Sequence, residues 1–221
     1  MRTTGRSRGN GGGCKSPAGL CPDWEDYLNA YIAHMKPHVD SGNVFGIFLG
    51  DEIVCGGIPY ANLSLVAGRL KAALPKAWIY TNECGDVIQG FPPITADGGG
   101  GVPAGLDAIS IDAYAQGAAE VVANRKRYRD EIYPKLHPHQ RAVFTPGVYA
   151  TNCTGCNVTL QEDYVVAKLQ AYLDWAKQDP LIYGMNPWHY GKGPPGFALG
   201  AIDMPGAAAK LKEIGDWIRD S

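Results

Sequence analysis

Short apolar runs recur along the chain, and three of them end in acidic side chains. The carboxylates at these ends are Asp51, Glu52, Glu83 and Asp112. Cleavage of a glycosidic bond needs one carboxylic acid that protonates the leaving oxygen and a second carboxylate that attacks the sugar or activates water. The sequence therefore carries the groups for hydrolysis without a cofactor, and the catalytic candidates are Glu52, Asp112 and Glu83.

These candidates differ in the roles that their positions favour. Glu52 is the first candidate for the acid, because it ends the most apolar run and a partly dry pocket would raise its pKa. Asp51 fits a capping or salt-bridged carboxylate better and is expected beside the substrate. Asp112 could act as nucleophile, as base or as acceptor of a sugar hydroxyl, or it could fix a loop by hydrogen bonds. The distances between carboxylates do not follow from sequence, so retaining and inverting reactions both stay open.

Other polar and aromatic residues stand at the same kind of position. Asn82, next to Glu83, is expected to bind a sugar hydroxyl, although both residues could instead have a structural role in their loop. An aromatic face packs well against the C–H surface of a pyranose, and histidine and tyrosine can add hydrogen bonds. The expected substrate-binding residues are Asp51, Asn82, Tyr114, Tyr149, Trp188 and His189, with Tyr190 beside them; a core position for Trp188 is the alternative.

Strand-like runs alternate with helical patterns over most of the chain. The run 44–49 is continuously apolar, which predicts a strand buried on both faces. The Gly/Pro-rich segment 85–105 is too long for a passive connector. The predicted strands are 44–49, 77–80, 108–111, 142–145 and 182–185; the predicted helices are 22–40, 62–74, one carrying the charged residues 125–130, 161–177 and 206–219.

Alternating strands and amphipathic helices predict parallel strands with helical crossovers. A doubly wound sheet would carry a glycine-rich phosphate loop early in the chain, but acidic residues occupy those turns. A (β/α)8 TIM barrel collects its catalytic residues at the carboxyl ends of its strands, which is the pattern seen here. We therefore predict an α/β fold, a truncated barrel with about five βα units corresponding to strands 4 to 8 and about three earlier strands missing. The predicted organisation is a low-complexity leader (residues 1–21) followed by a partial barrel domain (22–221).

Composition and cysteine content narrow the partners and the compartment. The 221 residues have a formal net charge of −2 and no basic run, so neither nucleic acid nor a membrane surface is an expected partner. Residues 1–13 have no apolar core of a signal peptide. Even so, six cysteines and three glycosylation sequons favour the secretory pathway. The cysteines are Cys14, Cys21, Cys55, Cys84, Cys153 and Cys156, and the sequons begin at Asn62, Asn152 and Asn157.

Metal and serine chemistry are poorly supported. Cys153 and Cys156 could form half of a zinc site, but no second pair follows at ligand spacing, which favours a local disulfide or two thiols. The other histidines, at positions 34, 38, 137 and 139, are expected to face solvent. A metal-dependent barrel hydrolase would need a cluster of Asp and His residues at the strand ends, and His189 is the only histidine predicted there. No G-x-S-x-G elbow occurs, which disfavours a serine esterase.

Four segments resemble glycoside hydrolase-like TIM barrels, in which a strand ending in Gly-Asp-Glu or Asp-Glu-Pro precedes a strand of the form Ile-x-Ile-Asp-x-Tyr. The resemblance extends over residues 22–219 and implies glycosidase activity on a carbohydrate, with Glu52 at the acid/base position of the fourth strand. The segments are Phe48-Leu49-Gly50-Asp51-Glu52, Ile79-Tyr80-Thr81-Asn82-Glu83, Ile109-Ser110-Ile111-Asp112-Ala113-Tyr114 and Gly184-Met185-Asn186-Pro187-Trp188-His189-Tyr190.

One departure from that resemblance matters. The large clan of retaining glycosidases with this fold carries its nucleophilic glutamate at the end of the seventh strand, where this chain reads Thr145-Pro146-Gly147-Val148-Tyr149. The second catalytic group then comes from Glu83 or Asp112, or the strand numbering is shifted, or the chain does not hydrolyse. The alternative function is a catalytically inactive carbohydrate-binding barrel remnant. The sequence indicates no oligomeric state and no particular glycan.

Overall fold

The computed structural model describes residues 19–114, 118–151, 158–189, 191 and 197–220. Several expectations therefore lie outside the described residues. These are most of the predicted leader, the pair Cys153 and Cys156, the sequons at Asn152 and Asn157, and the aromatic residue Tyr190. In the described part of the chain, no helix combines the length and the apolar character that crossing a bilayer requires.

The predicted strands form a five-stranded parallel sheet in the order β1-β2-β3-β4-β6, so the alternating α/β pattern is confirmed. Each strand lies beside the next strand of the sheet along the chain. A doubly wound sheet reverses its order at a switch point, and these five strands contain no such reversal. The strands are β1 (Gly46–Asp51), β2 (Trp78–Cys84), β3 (Ala108–Asp112), β4 (Arg141–Thr145) and β6 (Ile182–Met185).

The chain divides into two compact units. The first comprises Met1–Ser110 and Pro134–Arg141, and the second comprises Ile111–Tyr133 and Ala142–Ser221. In the first unit, helices α1 (Trp24–Asp40) and α2 (Tyr60–Ala73) accompany strands β1 and β2. Their apolar stripes bury Leu28 and Val39 of α1 and four residues of α2, namely Leu63, Val66, Ala67 and Leu70.

The described residues of the second unit include three α-helices and a small second sheet. Strands β5 (Tyr149–Thr151) and β7 (Phe197–Gly200) pair antiparallel, an element that the sequence analysis missed. The helices are α3 (Ala118–Arg127), which runs on into a π-helical turn at Tyr128–Ile132, α4 (Val158–Ala176) and α5 (Pro205–Asp220). One buried apolar cluster of this unit consists of Val148, Ala150, Val165, Leu169, Leu173, Ala201, Met204, Ala207 and Ile214.

The long segment 85–105 is packed against its own unit. The amide of Gln140, which is fully buried, donates to the carbonyls of Pro103 and Leu106 at 2.9 Å each. The ring nitrogen Nε2 of His137 lies 3.0 Å from the carbonyl oxygen of Gly100. His137 is only 7% exposed, so the expectation that it faces solvent was wrong, because its ring closes this loop.

Strand β1 was expected to be buried on both faces, and this was wrong. Ile47 is buried, whereas Phe48 is 52% exposed and Phe45, just before the strand, is 63% exposed. Successive side chains point to opposite faces of the sheet, and the face of Phe48 is the less covered one. Strand β1 also lies at the end of the sheet order, where it pairs with β2 alone among the described strands. Beside it lies an apolar groove of about 380 Å³, lined by residues of α1 and β1 that include Trp24, Tyr31 and Phe48.

Candidate active site

Glu83 is the most deeply buried of the predicted catalytic carboxylates. Its side chain is 0% exposed, near the end of β2. The backbone N–H of Val54 donates to both carboxylate oxygens at 3.1 Å, and the N–H of Cys55 donates to Oε2 at 3.3 Å. These donors come from the loop that follows β1, so Glu83 is held by backbone groups remote from it in sequence.

The local sequence explains how this loop reaches Glu83. The N–H of Glu52 still donates to the carbonyl of Asn82 at 2.8 Å, as a continuation of the β1–β2 pairing. Glu52 then adopts a φ of +49°, which turns the chain out of the strand direction. Ile53, at 5% exposure, anchors the loop in a cluster with Ile58 and Leu63. The loop amides are thereby fixed above the end of β2.

Glu52 itself does not occupy a dry pocket, contrary to the expectation for the catalytic acid. Its side chain is exposed, as is that of Asp51. The turn at Glu52 buries the following residue, Ile53, instead. Of these three carboxylates, Glu83 is the one in the desolvated environment that the acid role requires.

Burial raises the pKa of Glu83 from 4.5 to about 6. Loss of hydration is the largest cause, because it disfavours the charged carboxylate. The backbone donors of Val54, Cys55 and Ile53 act in the opposite direction, and the negative charge of Asp51 adds to the rise. A carboxyl group with this pKa is divided between its acid and base forms in weakly acidic solution, which suits a general acid.

This pKa has a consequence for stability that does not depend on any activity. A raised carboxyl pKa means that the folded protein holds the proton more firmly, so the free energy of unfolding falls as pH rises from 4.5 to about 6. We expect a loss of about 2 kcal/mol over that window. Urea unfolding of wild type and Glu83→Gln at several pH values measures it. The free energy of unfolding is plotted against pH for each protein, and the difference between the two plots is the contribution of Glu83. Parallel plots would contradict the expected loss.

A polar chain runs beside Glu83 across the first three strands. The Tyr80 hydroxyl lies 2.6 Å from Ser110 Oγ, and Ser110 Oγ donates to Asn82 Oδ1. The side-chain amide of Asn82 then donates to Asp51 Oδ1 at 2.8 Å. Because Asn82 is only 3% exposed, its orientation is fixed by these partners. Sequence reasoning picked out Asp51 and Asn82 but missed Tyr80 and Ser110, whose alternation with apolar neighbours was the available signal.

One group of possible metal ligands occurs in the described part of the chain. The carboxylate of Glu52 and the sulfurs of Cys55 and Cys84 lie within 4.8 Å of one another. However, Cys55 and Cys84 form a disulfide bond. Since a thiolate is the form of cysteine that binds metals, this group is not a metal site while the bond is intact.

The predicted aromatic residues of the second unit contact one another. Tyr114 and Trp188 stack with ring centroids 5.3 Å apart, and Tyr149 lies edge-on to Trp188 at 5.2 Å. His189, joined to Trp188 by a cis peptide bond, has its ring centroid 5.5 Å from that of Trp188. All four side chains are half-buried. Trp188 is therefore not a fully enclosed core residue. A half-buried ring of this kind can offer one face to a sugar.

Gly147 permits this close packing. A Cβ atom at position 147 would lie 2.7 Å from Cε1 of Tyr149 and 3.3 Å from Cβ of Tyr114. The same glycine bridges to Trp188, whose N–H donates to the carbonyl of Pro146 at 2.9 Å. Absence of a side chain at this position therefore sets the spacing of three aromatic rings.

Gly147→Ala should lower the free energy of unfolding by about 1–3 kcal/mol, because the added methyl group overpacks the aromatic cluster. Gly184→Ala is the matched control in the same unit, since a Cβ there would meet nothing within 4 Å. Urea unfolding of both variants makes the comparison. Equal stability of the two would show that the rings move aside without cost.

Asp112, the remaining catalytic candidate, ends β3 and is half-buried. It belongs to the second unit, whereas Asp51, Glu52, Asn82 and Glu83 belong to the first. The structure therefore brings together the first-unit acidic residues with Asn82, and separately the second-unit aromatic residues.

Comparison with known proteins supports the fold. No protein-family model and no curated protein sequence matches the chain. Xylanase 10B from Thermotoga maritima is similar over 91% of this chain and 72% of its own, at 14% identity and a TM-score of 0.51. Xylanase 10B from Thermotoga petrophila RKU-1 in complex with xylobiose is similar over 90% and 71%, also at 14% identity and a TM-score of 0.51.

A GH2 beta-galacturonidase from Eisenbergiella tayi bound to galacturonate also matches, over 76% of this chain and 30% of that one, at 13% identity and a TM-score of 0.48. The chain thus spans less than a third of that enzyme and about 70% of the xylanases. The likeness to the two xylanases shows the fold alone, a mixed α/β structure built on a parallel sheet.

Proposed function

We propose that the chain is a glycoside hydrolase-type enzyme that cleaves a glycosidic bond in a poly- or oligosaccharide with a pair of carboxylates and without a cofactor. The observation that carries the proposal is the buried Glu83 carboxyl, whose pKa is raised to about 6 near the carboxyl end of a central strand. Catalytic acids in glycosidases need a raised pKa of this kind. The xylanase-like fold gives that carboxyl a suitable scaffold.

In this proposal Glu83 is the general acid, and its carboxyl, which is covered in this structure, has to become accessible to the leaving oxygen when the substrate binds. The second carboxylate is Glu52 or Asp112, acting as nucleophile or as the base that activates water. The two are chemically equivalent candidates, and they differ in that Glu52 is exposed whereas Asp112 is half-buried. Separate Glu52→Gln and Asp112→Asn variants distinguish them, since only loss of the true partner abolishes turnover.

Substrate binding is assigned to the polar and aromatic residues that the sequence predicts for this role. Asp51 and Asn82, already linked by a hydrogen bond, would accept and donate to sugar hydroxyls. The cluster of Tyr114, Tyr149, Trp188 and His189 would stack on a pyranose face. Because the similar enzymes are xylanases, xylan and xylo-oligosaccharides are the first substrates to test.

The direct test is to assay the full chain against a panel of plant and microbial glycans, with release of reducing ends as the readout. Turnover by the wild type that is lost in Glu83→Gln, while binding of the same glycan is retained, supports the proposal. Absence of turnover on every glycan overturns it.

A carbohydrate-binding protein without catalysis is the second candidate. The segment 145–149 has no carboxylate where the resemblance places a nucleophile, while the rings of Tyr114, Tyr149 and Trp188 pack together. Calorimetric titration with the glycan panel separates the two functions: binding by the wild type without any turnover favours the binding protein.

We also propose that the chain functions in an oxidising compartment, with secretion as the expected route. The Cys55–Cys84 disulfide supports this, because such bonds are rare in reducing cytosol. Soluble glycans are then the accessible partners.

A further inference from the structure

The Cys55–Cys84 disulfide joins the two segments that define the environment of Glu83. Cys84 directly follows Glu83 at the end of β2, and Cys55 belongs to the loop whose N–H groups bind the Glu83 carboxylate. The Cα atoms of the two cysteines are 5.9 Å apart. We propose that this disulfide is a positioning element for Glu83: it keeps the loop 52–57 closed over the carboxyl group, and cleavage of the bond admits water. Its effect on turnover rests on the function proposed above.

The other contacts of the loop 52–57 explain why the bond is needed. Ile53 anchors its beginning, and Ile58, just beyond it, anchors its end. Between them, Cys55, Gly56 and Gly57 are exposed to solvent. The N–H groups of the two glycines bond within the loop itself, Gly56 to Glu52 O at 2.6 Å and Gly57 to Val54 O at 3.0 Å. Exposed local bonds of this kind open readily, so the disulfide is the covalent restraint at the part of the loop that binds Glu83.

Two opposing contributions determine what happens when the loop opens. In the closed loop, lost hydration raises the pKa of Glu83 and the backbone donors lower it, and hydration is the larger of the two. Water entry removes both contributions together. The negative charge of Asp51, the other charged group acting on this carboxyl, stays in place. The pKa of Glu83 should therefore fall from about 6 toward its ordinary 4.5 when the loop opens.

The same cleavage can occur without mutation. A dithiol reductant transfers two electrons and two protons to the S–S bond, which yields the thiols of Cys55 and Cys84 and the cyclic disulfide of the reductant. Reducing conditions would then lower the pKa of Glu83. Activity that needs the protonated carboxyl would therefore be lost at a lower pH.

The test is a ¹³C NMR titration of the Glu83 carboxyl in wild type and in Cys55→Ala/Cys84→Ala, with a chelator in all samples. We expect the pKa of the double variant to fall by more than half a unit. Cys21→Ala removes another disulfide-bonded cysteine of the same unit and should leave the value at about 6. A folded double variant with an unchanged Glu83 pKa overturns the proposal.

Val54→Pro should shift the pKa of Glu83 in the opposite direction. It removes one backbone donor to Glu83 while the disulfide still holds the loop closed. The charged carboxylate then loses a stabilising contact but stays dry, so its pKa should rise. A fall in this variant would mean that the disulfide does not control hydration, and would also overturn the proposal.

Two further measurements test the proposal if the double variant does not fold or if the protein has no activity. If the double variant fails to fold, amide exchange at Val54 and Cys55 is instead compared between untreated and dithiol-treated Cys21→Ala protein, in which the Cys21 bond is already absent; faster exchange after treatment supports the proposal and unchanged exchange overturns it. The NMR titration requires no turnover, so a protein that hydrolyses nothing refutes the function while leaving this result intact. Where turnover exists, the basic limb of its pH profile should move with the pKa.

Discussion

Glu83→Gln is expected to lower kcat on a natural glycan by about 10²- to 10⁴-fold, the range that a general acid contributes. Glutamine retains the size of the side chain but has no acidic proton for the leaving oxygen. Glycosides with a strongly acidic leaving group need little protonation, so their turnover should fall much less. The contrast between the two substrates identifies the acid role, because a merely structural defect would affect both equally.

The same carboxyl predicts the pH dependence of activity. An acid must be protonated to act, so kcat/KM should decline above about pH 6, where Glu83 loses its proton. Glu25→Gln is a matched control, since Glu25 is an exposed glutamate of the same unit. It should leave both rate and profile unchanged. A basic limb more than one unit away from pH 6 would argue against Glu83.

Breaking the Cys55–Cys84 bond should lower the free energy of unfolding by about 3–4 kcal/mol, because a bond across 29 residues restricts the unfolded chain. Guanidinium unfolding at neutral pH measures this loss. Either single substitution to alanine breaks the same bond, so Cys55→Ala, Cys84→Ala and the double variant should lose similar amounts. Additive losses in the double variant would mean that side-chain packing, not chain restriction, is the main contribution.

Much of the fold could be predicted from the sequence. Apolar runs with flanking helices were enough to predict the five parallel strands, because hydrophobic periodicity reports burial directly. Strands β5 and β7 were missed, because they pair with each other antiparallel, outside the alternating strand–helix pattern on which the prediction rested. The exposure of Phe48 was also missed. An apolar run indicates a tendency to be buried, but it does not show whether both faces of the strand are covered.

The sequence was enough to predict which residues belong to the candidate site, but not which role each of them has. Strand ends identified Glu52 and Glu83 alike, since both are glutamates that follow apolar runs. Which of them is buried depends on the turn at Glu52 and on amide donors from the loop after β1, and neither has a sequence signature. The pairing of Cys55 with Cys84 was likewise open, because six cysteines allow many connectivities.

The outer side of β1 has a practical consequence for handling the protein. Among the described strands β1 lies at the end of the sheet, beside the large exposed rings of Phe45 and Phe48, and such an edge is a template on which a second molecule can add its own extended segment. Concentrated preparations should therefore scatter light increasingly with time, as molecules join edge to edge. A lysine in place of Phe48 should suppress this, because its charge would have to be buried at the junction.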